Sequence, residues 1–249
     1  MRPFLFLGFV GGWLSAGVSV AGTAEQRFVS GPARVALVEL YTSEGCSSCP
    51  PAERWLGELR TAPGLWRDFV PVAWHVDYWN RLGWPDRFST REFTARQYAV
   101  AATWRSDSVY TPCFVRDGEE WRGRKTVPAR EIADASPGEL VAVVDAGGRC
   151  RVEFATAAKG EFTVHLAVLG GGFTSQVTAG ENRGETLRQE FVVLATAEHP
   201  LPAAGVARGE WALPREKIAD GERRALAVWV TRRGERAPLQ ATGGWLERR

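Results

Sequence analysis

The chain has 249 residues, with 31 Lys and Arg against 29 Asp and Glu, for a formal net charge of +2. Lys125, Lys159 and Lys217 are the only lysines; the arginines are scattered among acids and form no basic patch interleaved with aromatics, which argues against a nucleic-acid partner. The length suits one large domain or two modest ones, and the four cysteines (Cys46, Cys49, Cys113 and Cys150) permit three full pairings if the compartment is oxidising.

The first segment, Met1-Arg-Pro-Phe-Leu-Phe-Leu-Gly-Phe-Val10, opens a run without charge from Pro3 to Ala24, with small residues at Ser19-Val-Ala21. This reads as a signal peptide over residues 1–21, so that the chain is expected to be exported, periplasmic or secreted. The run is also long enough for an uncleaved anchor. Its glycines, short charged start and Ser19-Val-Ala21 favour cleavage, and membrane contact is expected only if the segment stays.

Arg34 to Tyr41 contains a short apolar run broken by Glu39, the pattern of a strand buried on both faces. It leads into Cys46-Ser-Ser-Cys49 and then Pro50-Pro51. Trp55, Leu56 and Leu59 follow at helical spacing, and Ala62-Pro-Gly64 ends that helix. Phe69 to Val76 reads as a second strand, so strand, helix and strand form a βαβ unit with the two strands parallel. An aromatic-rich irregular segment, Asp77 to Phe88, follows where ligands often bind at the ends of parallel strands. Ser89-Thr-Arg-Glu92 is a capping box opening a helix through about Trp104. Cys113 to Arg116 is a strand turning at Asp117-Gly118 into Glu120-Trp-Arg122. A weaker helix is expected over Ala129–Ala135, and Ser136-Pro-Gly138 marks a boundary.

Beyond it, β runs separated by glycines cover Glu139–Asp145, Cys150–Ala155, Phe162–Leu169, Thr186–Thr196 and Arg224–Thr231. That spacing suggests a small antiparallel sandwich or barrel. The expected organisation is thus an α/β domain over 33–136 followed by a smaller β-rich, sandwich-like domain over 139–249.

Cys46 and Cys49 are expected to pair, since residues at i and i+3 of a helix or tight turn can be bridged with little strain. Redox, metal-binding and structural readings of that pair all remain open; without a second Cys-x-x-Cys there is no four-thiolate zinc set. A strand before the pair and a helix after it favour a redox dithiol, with Cys46 as nucleophile and Cys49 as the resolving thiol. A helix beginning only at Cys49, as the two prolines allow, and the charge of Glu44 both weaken the case for an acidic Cys46. Glu39, if buried, could exchange a proton with Cys49; otherwise it is a strand-edge glutamate facing solvent. His75 and Asp77 alternate onto one face of their strand, with a hydrogen-bonded structural histidine preferred over a proton shuttle or metal ligand. Thr111-Pro112 heads a strand, where proline needs a structural reason such as a cis bond.

The Cys-x-x-Cys after the first strand and the Thr111-Pro112 at the head of a later one resemble the thioredoxin superfamily. A closer resemblance is to the secreted thioredoxin-like domain-of-unknown-function family twelve-twenty-three. It is carried by Val38 to Ala52, Ala73 to Trp84, Val109 to Pro112 and Gly180-Glu-Asn-Arg-Gly-Glu-Thr-Leu187. The resemblance implies a thioredoxin-like fold followed by a β-rich part, with a cis Pro112 bordering the site, and it supplies no substrate. Where the family pattern has a polar residue after Thr-Pro, this chain has Cys113. Cys113 could be a third redox thiol, a partner of Cys150 stapling the two domains, or a small buried apolar residue; the even cysteine count favours the staple.

Three functions follow as expectations. The first is an exported thiol–disulfide oxidoreductase acting on protein or small-molecule thiols and disulfides, with no cofactor. The second is a binding protein whose Cys46–Cys49 bridge only fixes a loop, with the Trp74, Trp79 and Trp84 segment as contact surface. The third is Cu(I) handling by Cys46, Cys49 and His75, which soft thiolates suit but which no methionine cluster supports.

Overall fold

The computed structural model describes residues 25–122, 126–127, 136–202, 206–218 and 220–247. The expected signal peptide and the helix expected over Ala129–Ala135 lie outside the described residues. In chain order the elements are β1 (Gln26–Val29), β2 (Ala36–Thr42), α1 (Pro50–Glu58), β3 (Phe69–His75), α2 (Arg91–Thr103), β4 (Cys113–Arg116), β5 (Glu119–Glu120), β6 (Glu139–Val144), β7 (Arg149–Ala155), β8 (Phe162–Gly171), β9 (Phe173–Gln176), β10 (Thr186–Gln189), β11 (Val192–Leu201), β12 (Val206–Ala212), β13 (Arg223–Arg232) and β14 (Pro238–Leu246). The fold is mixed α/β and mostly β-sheet. Among the described residues no helix is long and apolar enough to cross a membrane.

Every residue of β2 and β3 is buried, because helices cover both faces of their sheet. The two strands run parallel, in register from Ala36–Phe69 to Thr42–His75. On one face Ala36, Val38 and Leu40 meet Ala52 and Leu56 of α1. On the other, Leu37, Tyr41, Val72 and Trp74 meet Phe93 and Val100 of α2. Strand β4 pairs antiparallel with β2, and Asp117 and Gly118, both at positive φ (53° and 87°), turn the chain into β5 as Asp-Gly predicts. Helix α2 starts one residue later than the capping box implies: Thr90 is the N-cap and its Oγ1 accepts the Phe93 N–H at 3.1 Å.

The sheet does not end at the boundary expected near 136–138. Its eight strands run β14-β13-β8-β11-β3-β2-β4-β5, so the β-rich part extends the sheet that carries α1 and α2. The junction is β11 beside β3, parallel at Val192–Ala73, with β11 then running antiparallel to β8. A second sheet, β1-β6-β7-β12, encloses a core of Leu140, Val152, Phe154, Phe162, Leu166 and Val228 with the outer half of the large sheet. The expected sandwich is therefore a second layer on a shared sheet, and Phe28, ahead of the first expected domain, lies in its core. The run expected over Thr186–Thr196 is broken at Phe191, whose φ of 56° turns the chain. Before it β10 pairs only with β9 in a two-stranded ribbon, and after it β11 enters the large sheet.

Candidate functional site

Between Thr42 at the end of β2 and Pro50 at the start of α1, Cys46 and Cys49 form a disulfide with a Cα–Cα distance of 5.4 Å. Both cysteines are buried, and Ser47 and Ser48 between them are exposed. The turn is local: Cys46 N–H donates to the Ser43 carbonyl and Cys49 N–H to the Cys46 carbonyl, each at 3.1 Å. Cys49 is the N-cap of α1, and its carbonyl accepts the N–H of Ala52 at 2.9 Å and of Glu53 at 3.1 Å. Pro50 and Pro51 occupy the first helical positions, where a missing N–H costs nothing. Cys46 therefore lies ahead of the helix in the chain, while its sulfur is bonded to that of the N-cap residue. Cys46 Sγ lies 3.3 Å from Ser48 Oγ.

A buried set of ionisable groups flanks this loop. His75 at the end of β3 pairs through Nδ1 with Asp86 Oδ2 at 2.7 Å, and both side chains are fully buried. Asp86 also accepts the Glu44 N–H at 2.9 Å and the Phe88 N–H at 3.0 Å. Glu44 Oε2 accepts from Trp84 Nε1 at 3.0 Å. Glu53, one turn into α1, accepts from Thr42 Oγ1 at 2.7 Å and from Gln189 Nε2 at 3.1 Å. Burial opposes a charge on His75, but Asp86, Glu53 and Glu44 outweigh it and carry the imidazole up to about 9. Burial acts against the Asp86 charge too, yet His75 and the two backbone donors hold that carboxyl below its usual range. Burial pushes Glu53 up, and burial together with the Asp86 carboxylate pushes Glu44 up. A buried histidine–aspartate pair thus stands beside two further carboxyls whose pKa burial raises.

The other sequence candidates fall in different places. Glu39 is buried on the α2 face of the sheet, where its Oε1 accepts from Trp74 Nε1 at 3.0 Å and from Arg96 at 2.6 Å. It is neither a solvent-facing edge residue nor on the α1 side with Cys49, where the buried carboxylate is Glu53. Asp77 is taken by Thr94 of α2, at 2.6 Å, and does not join His75. The Thr111–Pro112 peptide is cis. Pro112 stands one residue beyond the Tyr41–Cys113 pair, at the end of the sheet that carries the dithiol. Trp79 ties the two together: its Nε1 donates to Thr111 Oγ1 at 2.8 Å while its Cβ closes on Gly45, leaving little room for a side chain there. Cys113 and Cys150 are unpaired, which overturns the expected staple. Cys113 lies in the core under α2 and Cys150 in the core between the two sheets. Burial pushes their thiols up, Cys113 to about 11 and Cys150 to about 12. Among the described residues, no three or more His, Cys, Asp and Glu side chains gather as a metal site would need.

The loop joining β9 to β10 closes the site from the β-rich part. Asn182, itself buried, donates from Nδ2 to the carbonyls of Glu44 at 2.8 Å and Cys46 at 3.0 Å. Glu181 Oε2 accepts both the Ser47 N–H at 3.0 Å and the Ser47 Oγ–H at 2.7 Å.

A family model described as a protein of unknown function, DUF1223, matches residues 37–231. The chain belongs to that family. No curated protein matches it in sequence. In structure it is similar to an Agrobacterium tumefaciens protein solved by crystallography as a structural-genomics target, at 24% identity and a TM-score of 0.58 over 87% of this chain and 99% of the other. It is also similar to HBP35 of Porphyromonas gingivalis, at 12% identity and a TM-score of 0.55 over 86% and 76% of the two chains. Both likenesses are of fold alone. The DUF1223 match spans the dithiol loop and the Gly180–Gly184 loop together. Sequence reading of this DUF1223 chain missed Glu53, Asp86, Glu181 and Asn182 as site residues. Nothing local marks Glu53, whereas Asp86 lies in the Asp77–Phe88 segment and Glu181 and Asn182 in the Gly180–Leu187 motif, both already singled out but without a reason to connect these residues to Cys46.

Proposed function

We propose that the chain is an exported thiol–disulfide oxidoreductase on a thioredoxin-like fold, working through Cys46 and Cys49 on protein or small-molecule thiols and disulfides. The observation that carries this reading is a disulfide spanning the turn between a buried strand and a helix N-terminus, with Pro112 at the same end of the sheet. In the reducing direction, the Cys46 thiolate attacks one sulfur of a substrate disulfide and the other substrate sulfur leaves as a thiolate. Cys49, as thiolate, then attacks the Cys46 sulfur, releasing the second substrate thiol. The substrate gains two electrons and the Cys46–Cys49 disulfide re-forms. Cys46 takes the first role because it borders the exposed Ser47 and Ser48, while Cys49 caps the helix. A Cys49→Ser variant is expected to accumulate mixed disulfides on Cys46 in its native compartment. Their absence, beside a trapping control that works, counts against turnover.

A second reading, a bridge that only fixes the loop, is favoured by the burial of both cysteines. The reduction potential separates the two. A value below about −300 mV belongs to a structural bridge and a higher one to a labile pair.

A further inference from the structure

The Gly180–Gly184 loop makes four hydrogen bonds to the dithiol loop and its immediate approach, and two of them end on a carboxylate. A sulfur that becomes a thiolate ahead of a helix is stabilised by nearby backbone N–H groups and hydroxyls. In this turn the residue after Cys46 has both kinds of donor, and both are occupied by Glu181 Oε2. We propose that Glu181, held beside the dithiol turn by the two Ser47 donors, is a positioning residue whose negative charge disfavours the Cys46 thiolate and so biases the pair toward the disulfide. The inference rests on the redox reading only for its biological use. The acidity and potential of the pair are measurable whether or not the protein turns over.

The physical basis is geometric. The two contacts, at 3.0 and 2.7 Å, are charge-assisted and hold the carboxylate one residue from Cys46. Buried Asn182 fixes the register of the loop, so Glu181 is delivered to Ser47 by a rigid neighbour. The same contacts hold the Glu181 carboxyl below the ordinary range, with the Ser47 N–H the larger influence and its hydroxyl next. Other titratable and charged groups stand around the turn. Glu44 lies two residues upstream, Glu53 is on α1, the His75–Asp86 pair is at the end of β3, and Arg81 of the Asn80–Leu82 turn faces Glu181. Of these, Glu181 is the exposed one whose contact is made directly to the dithiol turn. Its removal leaves the buried set intact.

The test compares Glu181→Gln with the parent chain. Glutamine keeps an acceptor oxygen for the Ser47 donors and removes the charge, and the exposed position makes folding a minor concern. Two quantities are read on each protein: the pH dependence of Cys46 alkylation after reduction, and the equilibrium Cys46–Cys49 disulfide + 2 glutathione ⇌ dithiol + glutathione disulfide. The expected result is faster alkylation at pH 6 in the variant and an equilibrium constant displaced about threefold toward the dithiol. At about 30 mV per tenfold, that is a potential about 14 mV less negative. Raised salt should move the parent chain part of the way in the same direction, because the contact is exposed. Identical alkylation profiles and identical equilibria overturn the inference. So does a change seen in Glu181→Ala but not in Glu181→Gln, since that marks a structural role without a charge effect. A shift in acidity with no exchange activity in either protein upholds the Glu181 role while removing the oxidoreductase reading.

Discussion

Asp86 holds together three parts of the chain that meet at the dithiol: the imidazole of β3, the Glu44 backbone ahead of Cys46, and its own turn through Phe88. Asp86→Asn should cost about 3–5 kcal/mol, the range for stranding the partner of a buried ion pair, and urea unfolding measures it. The pH dependence has a definite sign. His75 is raised from 6.5 to about 9, so its contribution is complete below about pH 6.5 and is lost as pH rises through about 9. Glu44 and Glu53 are also raised, so their contributions act in the same direction as pH rises from the carboxylate range. Asp86 is lowered, so its share is present above its ordinary range and is lost only at acid pH. The melting temperature should therefore fall between about pH 6.5 and 9, and the fall should flatten in Asp86→Asn; an unchanged slope removes His75 from the account. A second outcome at this scale concerns the unpaired thiols. Buried, with raised pKa, Cys113 and Cys150 should react with a thiol reagent near neutral pH only after denaturation, which then releases two thiols. Two reactive thiols in the folded chain, or none after unfolding, would contradict that placement.

At the scale of elements, a single hydroxyl sets where α2 begins. Thr90→Ala should cost about 1 kcal/mol, with Thr90→Ser recovering most of it, because only the acceptor for the Phe93 N–H changes. The strands and helices whose signals are local were legible: the continuous apolar runs of β2 and β3, the Pro50-Pro51 helix start and the Asp117-Gly118 turn. Elements that depend on distant partners were not. Strand β14 carries Gly243 and Gly244, poor strand residues by composition. They are needed because Leu226 and Trp66 crowd the first and Phe28 the second too closely for any side chain. Strand β12 sets Arg208 and Glu210 among Ala207, Gly209 and Trp211, and its role emerges only from pairing with β7. The site follows the same rule. Cys46, Cys49 and Pro112 announce themselves in sequence, whereas Glu39 and Glu53 look alike until α1 and α2 cover opposite faces of the sheet and give them different neighbours.

For the molecule as a whole, the shared sheet has a thermodynamic consequence. Cutting at 136–139 would strip β3 of its neighbour β11 and expose Trp66, which packs edge-on against Phe191 and Trp245 from the far part of the chain. It would also break the contacts of Gln240, fully buried on β14. Its amide Nε2 donates to the carbonyls of Ala33 at 3.1 Å and Gly138 at 2.8 Å, and its Oε1 accepts the Val35 N–H at 2.9 Å. One side chain thus fastens the entry to β2, the segment before β6 and the last strand. Truncating it leaves at least one buried backbone donor unsatisfied, so Gln240→Ala should cost about 1–3 kcal/mol in urea unfolding. The core under α2 draws on both sides of the 136–139 segment, with Leu169, Ala227 and Trp229 beside Val72 and Trp74, so neither part can open without exposing that shared core. Calorimetry of the oxidised chain should show one transition, with calorimetric and van't Hoff enthalpies equal, and a fragment ending at residue 136 should not fold alone. Two resolved transitions, or a stable fragment, would mean that the β3–β11 junction is a contact between independent units and that the dithiol domain carries its own stability.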